Sequence, residues 1–96
     1  MVRVQLSHHA ADHLDQIFDR LATIDIATAA AKIQEIHTAL ATLEQNPMIG
    51  RPASSGTREL LIGRHHRGYV AQYRYVPGSD LVLVLAIRSQ RQASYP

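Results

Sequence analysis

The spacing of apolar residues changes from a helical period to a strand period at one short segment, Pro47-Met48-Ile49-Gly50-Arg51-Pro52. Before it, apolar residues recur every three or four positions, which predicts helices; after it they recur every second position, which predicts strands. The charge changes at the same place. Residues 1–50 carry three basic and six acidic side chains, a net of −3, whereas residues 51–96 carry seven arginines and two acidic side chains, a net of +5. The sequence therefore predicts a basic sheet mounted on acidic helices, and an acidic or polyanionic partner.

The first half of the chain predicts a leading strand followed by two helices. Residues 2–6 alternate apolar and polar side chains, and Ser7 then stands where a helix N-cap is expected. Residues 22–27 form a loop in which Asp25 is a second candidate cap, and the next apolar seam stops at Asn46-Pro47. Because the connection between the two helices is short, we expect them to pack antiparallel.

The second half predicts a loop and three strands. Residues 47–57 are rich in Pro, Gly and Ser, which is typical of loops. Arg64–Gly68 forms the first turn between strands, and Pro77-Gly78 fits the centre of a type II turn before the last strand. The last strand is apolar without interruption, which predicts burial on both faces in the middle of the sheet. The three predicted strands are Arg58–Gly63, Tyr69–Val76 and Leu81–Ile87.

The element order β-α-α-β-β-β predicts an α+β fold, in which an antiparallel helical hairpin packs on one face of a mainly antiparallel β-sheet. Ninety-six residues fit one domain, residues 1–96, and an apolar content of 46% allows a small core. The chain has no cysteine, no signal-peptide pattern and no apolar run long enough to span a bilayer. We therefore expect a cytoplasmic protein with no disulfides and no membrane partner.

Arginines in and beside the predicted strands are the main candidates for a functional site. Nine of the ten basic residues are arginine, whose planar guanidinium pairs with carboxylates and phosphates. Adjacent antiparallel strands bring residues within about 5 Å, so these arginines are expected to converge on the sheet face away from the helices. The alternative is a solvated face whose arginines pair with Glu59 and Asp80. The candidate basic face consists of Arg58, Arg74, Arg88 and Arg91.

The six histidines offer little for a metal site or for acid–base catalysis. His8-His9 and His65-His66 are adjacent pairs, and neighbours in an extended segment point to opposite faces. No His-Glu-x-x-His pattern or cysteine accompanies them, so we expect no metal ion and no other cofactor. A general base in the second pair is chemically possible but is not the favoured role. His13 and His37 lie on the predicted helices, where a surface or boundary position is typical.

Four segments of the second half follow one another in a recognisable order: Ile49-Gly50-Arg51-Pro52, Thr57–Gly63, Gly68–Tyr75 and Val84–Arg91. In this order they resemble the RelE/ParE toxin superfamily of bacterial type II toxin–antitoxin systems, and the resemblance extends over the whole chain. It implies the RelE/ParE toxin fold and a toxin that arrests growth. It also implies a co-expressed antitoxin as partner, which neutralises the toxin in a hetero-oligomer.

The resemblance further implies a choice between two branches. RelE-like members are ribosome-dependent mRNA endonucleases, with a catalytic arginine directly after a Gly-Tyr-like pair and basic residues in the preceding strand. Here those positions hold Val70 and the apolar run Leu60–Ile62, and the histidine that many relatives carry after Ile-Arg is Ser89. The Tyr73-Arg74 pair and the Arg58–Gly63 run resemble instead the ParE-like members, which inhibit DNA gyrase and have no established nuclease site.

We therefore expect a ParE-like toxin that inhibits DNA gyrase by binding and is not an enzyme, with the candidate basic face as its target-binding surface. The alternative is a toxin that cleaves mRNA on the ribosome, with Arg91 and Tyr95 as candidate catalytic residues and His65 or His66 as a candidate base. A third interpretation is a remnant that binds the antitoxin without being toxic.

Overall fold

The computed structural model describes residues 1–64 and 67–91. In chain order, their helices and strands are β1 (Arg3–Leu6), α1 (His8–Ala22), α2 (Ile26–Ala41), β2 (Arg51–Pro52), β3 (Arg58–Ile62), β4 (Tyr69–Val76) and β5 (Leu81–Ser89). The strands form one five-stranded sheet in the order β1-β5-β4-β3-β2, in which β1 runs parallel to β5 and all other neighbours are antiparallel. The predicted α+β class and the helical hairpin on a mainly antiparallel sheet are confirmed.

Both predicted helix caps are present. The Ser7 hydroxyl accepts a hydrogen bond from the N–H of Ala10 at 3.1 Å, and the Asp25 carboxylate accepts one from the N–H of Ala27 at 3.1 Å. The hydroxyl of Thr28 also donates to the Asp25 carboxylate. This bond is the main cause of the lowered pKa of the Asp25 carboxyl, and the bond from the Ala27 N–H is the second. None of the described helices is long and apolar enough to cross a membrane.

The α-helix α2 ends earlier than the predicted stop at Asn46-Pro47. After Ala41 the chain tightens into a 3-10 turn over Thr42–Glu44. The Thr42 hydroxyl donates to the carbonyl of Ala39 at 2.6 Å, and the Thr42 N–H donates to the same carbonyl, so both groups close the end of the helix. Leu43 is fully buried within this turn, which is why the apolar seam runs past the end of the α-helix.

The last strand is not buried on both faces as predicted. Gln72 of β4 pairs with Ala86, but the next residue, Tyr73, pairs with Val84, so Leu85 is an extra residue on β5. This β-bulge shifts the alternation of side chains by one position, and Val82, Val84 and Ile87 all lie fully buried under the helices. Leu81, Leu83 and Leu85 remain partly exposed.

Helix α1 is fastened to β5 beside this bulge. The hydroxyl of Ser7 donates to the carbonyl of Leu85 at 3.0 Å, and Nδ1 of His13 accepts the N–H of Ile87 at 3.1 Å. His13 is only 6% exposed, so the prediction of a surface or boundary position is wrong for it. The physical reason is that β1 ends at Leu6, and the edge of β5 beyond that point needs another hydrogen-bond partner. His37 is exposed.

Two turns also differ from the prediction. The loop at residues 47–57 contains the short strand β2, whose Arg51 and Pro52 pair with Glu59 and Arg58 of β3. Proline is tolerated there because β2 is an edge strand. The turn before β5 is a 3-10 turn at Pro77–Ser79, and the residue that follows it, Asp80, takes a positive φ of 46°, whereas Gly78 does not. A type II turn would need that conformation at the glycine.

Candidate functional site

The four arginines of the candidate basic face do not lie on one face of the sheet. Residues directly opposite in an antiparallel pair share a face, and Arg58 lies opposite Tyr73, which is fully buried beneath the helices. Arg58 is therefore on the helix side. Side chains alternate between the two faces along each strand, and Arg74 and Arg88 occupy the set of positions opposite to that of Tyr73. They therefore lie on the face away from the helices, here called the open face. Arg91 follows the end of β5.

Arg58 holds the loop that precedes β2. Its Nη1 donates to the carbonyl of Gly50 at 2.7 Å and to that of Met48 at 3.1 Å. The Tyr73 hydroxyl accepts the N–H of the same glycine at 2.8 Å, and a Cβ at Gly50 would lie 2.6 Å from that hydroxyl. Only glycine fits between the tyrosine and the arginine without a shift of the chain. The arrangement presents Met48 and Ile49 to solvent, 54% and 58% exposed.

Arg74 and Arg88 share the open face but stand apart. Arg74 is exposed and donates to the carbonyl of Ser55 at 3.0 Å, whereas Arg88 is partly buried and donates to the carbonyl of Ser89 at 3.3 Å. Arg88 lies opposite Val70, four residues before Arg74 on β4, so the two side chains leave the sheet roughly 13 Å apart. They therefore provide cationic contacts at two separate points of a broad surface.

A row of three residues crosses the open face and ends at Arg88. Leu61 of β3 lies opposite Val70 of β4, which lies opposite Arg88 of β5. Val70 is 2% exposed and Leu61 is 50% exposed. This part of the open face therefore presents one guanidinium and one exposed apolar side chain on either side of a buried valine.

Arg91 belongs to a second basic cluster, on the helix side of the sheet and at the end where β4 begins and β5 ends. It lines a cavity of about 370 Å³ between the end of α1, the first half of α2 and the strand ends of β4 and β5. Tyr69 and Ser89 form the sheet side of this cavity. Burial raises the pKa of the Tyr69 phenol, and among the charges around it Arg20 lowers that pKa, Glu35 raises it and Arg91 lowers it. The cationic residues that line the cavity are Arg20, Lys32, Arg67 and Arg91.

Sequence reasoning missed three of these four cations. Arg20 and Lys32 lie in the acidic half of the chain, and Arg67 lies in a turn. The predicted helical hairpin could have indicated that Arg20 and Lys32 lie close together, because a short connection brings the start of the second helix beside the end of the first.

Other candidate residues lie elsewhere. Glu59 pairs with Arg51, as its Oε1 is 2.9 Å from Nη2 of that arginine on the neighbouring edge strand. Within the described residues, no group of three or more His, Asp or Glu side chains is arranged to hold a metal ion. The candidate catalytic residue Tyr95 and the histidine pair His65-His66 lie outside the described residues.

A family model described as the ParE toxin of a type II toxin–antitoxin system, parDE, matches residues 4–94 of the chain. The chain belongs to the ParE toxin family. A solved structure titled as the chromosomal ParDE toxin–antitoxin system from P. aeruginosa is similar, with a TM-score of 0.79 and 28% identity over 93% of this chain and 96% of that one. Comparison with curated protein sequences gives no significant match.

Two more distant structures share the fold. The toxin superposes on a chain of the intact E. coli RelBE toxin–antitoxin complex with a TM-score of 0.68 and 9% identity, over 96% of this chain and 100% of that one. It superposes on a chain of the RelBE2 toxin–antitoxin complex from Mycobacterium tuberculosis with a TM-score of 0.62 and 21% identity, over 96% and 97% of the two chains. At these identities the likeness shows the RelE/ParE toxin fold alone.

Proposed function

We propose that this ParE-family toxin arrests growth by binding DNA gyrase, without cleaving nucleic acid, and that a cognate antitoxin neutralises it. Gyrase as the target follows from the resemblance to the ParE-like branch. The structure bears on how the toxin acts on its target, through the chemistry of the open face.

The row of Leu61, Val70 and Arg88 carries the proposal. In the RNA-cleaving branch that the sequence also resembles, the position after the Gly-Tyr-like pair holds an arginine; here it holds Val70, buried at 2% exposure. Its neighbour in β3 is an exposed leucine. On the open face, this row offers a transferring phosphate one cation, Arg88, because Arg74 leaves the sheet roughly 13 Å away and the cations of the helix-side cavity lie on the other face. One arginine and one exposed leucine on either side of a buried valine fit a protein-binding surface better.

The same row has the composition of a contact surface. Arginine is enriched in protein interfaces, and it is among the few residue types that contribute most of the binding free energy there. Arg74 extends this surface along β4. We assign target binding to the open face, with Arg74 and Arg88 as its cationic contacts. Arg58, which holds a loop, and Arg91, which lines the helix-side cavity, are outside it.

An antitoxin partner fits the charge of the chain. The P. aeruginosa, E. coli and M. tuberculosis relatives are titled as toxin–antitoxin systems or complexes. The half of this chain that forms most of the sheet carries a net charge of +5. An acidic antitoxin segment that folds on binding complements that charge. It also stabilises a small domain by mass action.

The decisive experiment compares two activities of the purified toxin in parallel. One assay follows gyrase supercoiling of relaxed plasmid, and the other follows ribosome-dependent cleavage of a reporter mRNA. We expect inhibited supercoiling, intact mRNA, and recovery of supercoiling when antitoxin is added. Cleaved mRNA with normal supercoiling would overturn the proposal and direct attention to Arg91 and Tyr95. Neither activity, together with normal growth on expression, would mean a non-toxic antitoxin-binding protein.

A further inference from the structure

The helix-side cavity gathers four cations from four different parts of the chain. Arg20 comes from the last turn of α1, Lys32 from α2, Arg67 from the turn before β4, and Arg91 from the segment after β5. We propose that this cavity is a binding site for a phosphate group. The proposal does not depend on gyrase as target, and the site lies on the opposite side of the sheet from the proposed target surface.

The charge around the cavity is the first argument. Within residues 1–64 and 67–91, only Lys32 of the four cations has a carboxylate within 4.0 Å, with its Nζ 3.7 Å from Oε1 of Glu35. That pair is exposed and therefore weak. Four cations around one space repel one another, and an anion that enters it relieves this repulsion. The end of α1 contributes carbonyl groups, so the side chains alone supply the positive potential.

The donor chemistry favours phosphate over a carboxylate. Three of the four cations are arginines, which can each give two parallel hydrogen bonds to the oxygens of an anion. A phosphate monoester carries between one and two negative charges and three acceptor oxygens, so it can satisfy several guanidinium groups together. Tyr69 adds a phenol, which is protonated at neutral pH and does not repel an anion, and burial raises its pKa further.

The size of the cavity limits the ligand. Its volume of about 370 Å³ is at the low end of small-molecule sites, which cover roughly 300–1,000 Å³. A phosphate with one attached sugar fits such a volume, whereas a folded partner does not. The phosphate can therefore come from a free nucleotide or from the phosphorylated end of a nucleic-acid strand.

Thermal unfolding of the purified toxin against phosphate concentration tests the site. Ionic strength is held constant with sodium chloride. Inorganic phosphate at roughly five times its dissociation constant should raise the Tm by about 4–8 °C. The double variant Arg20→Gln with Arg67→Gln should lose this rise, and Lys32→Gln should reduce it. The matched control, Arg3→Gln with Arg74→Gln, removes the same charge outside the cavity and should keep the full rise.

Two outcomes of this titration would overturn the proposal. One is a wild-type Tm that phosphate does not raise at constant ionic strength. The other is an equal rise in the wild type, the cavity variant and the control, which would mean a general ionic effect. Because Arg74 and Arg88 are intact in the cavity variants, loss of phosphate binding and loss of gyrase inhibition are separate results.

A second set of probes identifies the source of the phosphate. Adenosine 5′-monophosphate should act at lower concentration than inorganic phosphate if the ligand is a free nucleotide. A short 5′-phosphorylated oligonucleotide should act at lower concentration than its 5′-hydroxyl counterpart if the ligand is a strand end. Either result supports the site if Arg20→Gln with Arg67→Gln abolishes it. Stabilisation by a glutamate-rich peptide, with none by any phosphate probe, would replace the proposal with a carboxylate site.

Discussion

The two faces of the sheet use arginine in opposite ways. On the helix side, Arg58 is partly buried, and its guanidinium donates to two backbone carbonyls of a loop. On the open face, Arg74 is exposed, and its guanidinium donates to the carbonyl of Ser55. The first arginine is held by the fold and supports it. The second is presented to solvent, where it can contact another molecule.

This difference shows that the type and spacing of residues do not decide their role. Arg58 and Arg74 both lie in strands of alternating pattern, and both were candidates for one basic face. Their faces are decided by cross-strand pairing, since Arg58 lies opposite Tyr73 and Arg74 lies opposite Leu83. Predictions that separate stability from toxicity therefore test the comparison directly.

The largest effect is expected from alanine at both Arg74 and Arg88. An arginine at the centre of an interface contributes about 2 kcal/mol or more, or roughly 30-fold in affinity for each. The double variant should therefore abolish growth arrest on expression and raise the toxin concentration for half-inhibition of supercoiling by at least roughly 30-fold. Its circular dichroism and its cooperative thermal unfolding should show a folded protein.

The control for this variant is alanine at Arg20 and Arg64, two exposed arginines outside the open face. It changes the net charge equally and should stay toxic. A folded Arg74→Ala, Arg88→Ala variant that stays fully toxic would remove the open face from the mechanism. If Arg88→Ala lowers the amount of folded protein, Arg74→Ala alone answers the same question.

On the helix side, His13→Ala should give the largest loss of stability among the polar residues. It leaves the buried N–H of Ile87 without its acceptor and opens a cavity under α1. We expect the free energy of unfolding to fall by about 2–4 kcal/mol in chemical denaturation. The exposed His37 on α2 is the matched control, and His37→Ala should change it by no more than about 0.5 kcal/mol. Equal effects of the two variants would mean that α1 does not depend on this bond.

Arg58→Ala sharpens the comparison between the two faces. Loss of hydrogen bonds from a charged group to the carbonyls of Met48 and Gly50 should lower the free energy of unfolding by about 1.5–3 kcal/mol. Arg74→Ala should lower it by less than about 1 kcal/mol. The Arg58 variant should also be cleaved faster by protease near the exposed Met48. A reversed order of the two stabilities would show that the faces are assigned wrongly.

Much of the fold follows from local features of the sequence. The caps at Ser7 and Asp25, the helical hairpin and the three long strands depend on side chains near in the chain, and all of them were predicted. The strand β2 was missed because two residues, one of them a proline, carry no detectable period. The extra residue Leu85 was missed because an uninterrupted apolar run hides a change in alternation.

The candidate site was less accessible to such reasoning, because it depends on contacts between distant segments. Four arginines at strand positions predicted one patch, but the pairing distributes them over two faces and two ends of the sheet. Arg20 and Lys32 gave no signal, since each is surrounded in the sequence by acidic or neutral residues. Only the packing of the hairpin on the sheet brings them to Arg67 and Arg91.

The smallest effect is expected at the edge of the sheet, where Arg51 pairs with Glu59. The pair is close, at 2.9 Å, but the Arg51 side chain is 55% exposed, so water and salt screen it. A double-mutant cycle with Arg51→Ala and Glu59→Gln should give a coupling of about 0.2–1 kcal/mol that decreases with added salt. A coupling above about 2 kcal/mol would mean that this ion pair, and not the Arg58 contacts, holds β2 in place. The small value expected here has the same cause as the contrast between the faces: an exposed guanidinium is screened by water, whereas the partly buried guanidinium of Arg58 donates to two backbone carbonyls.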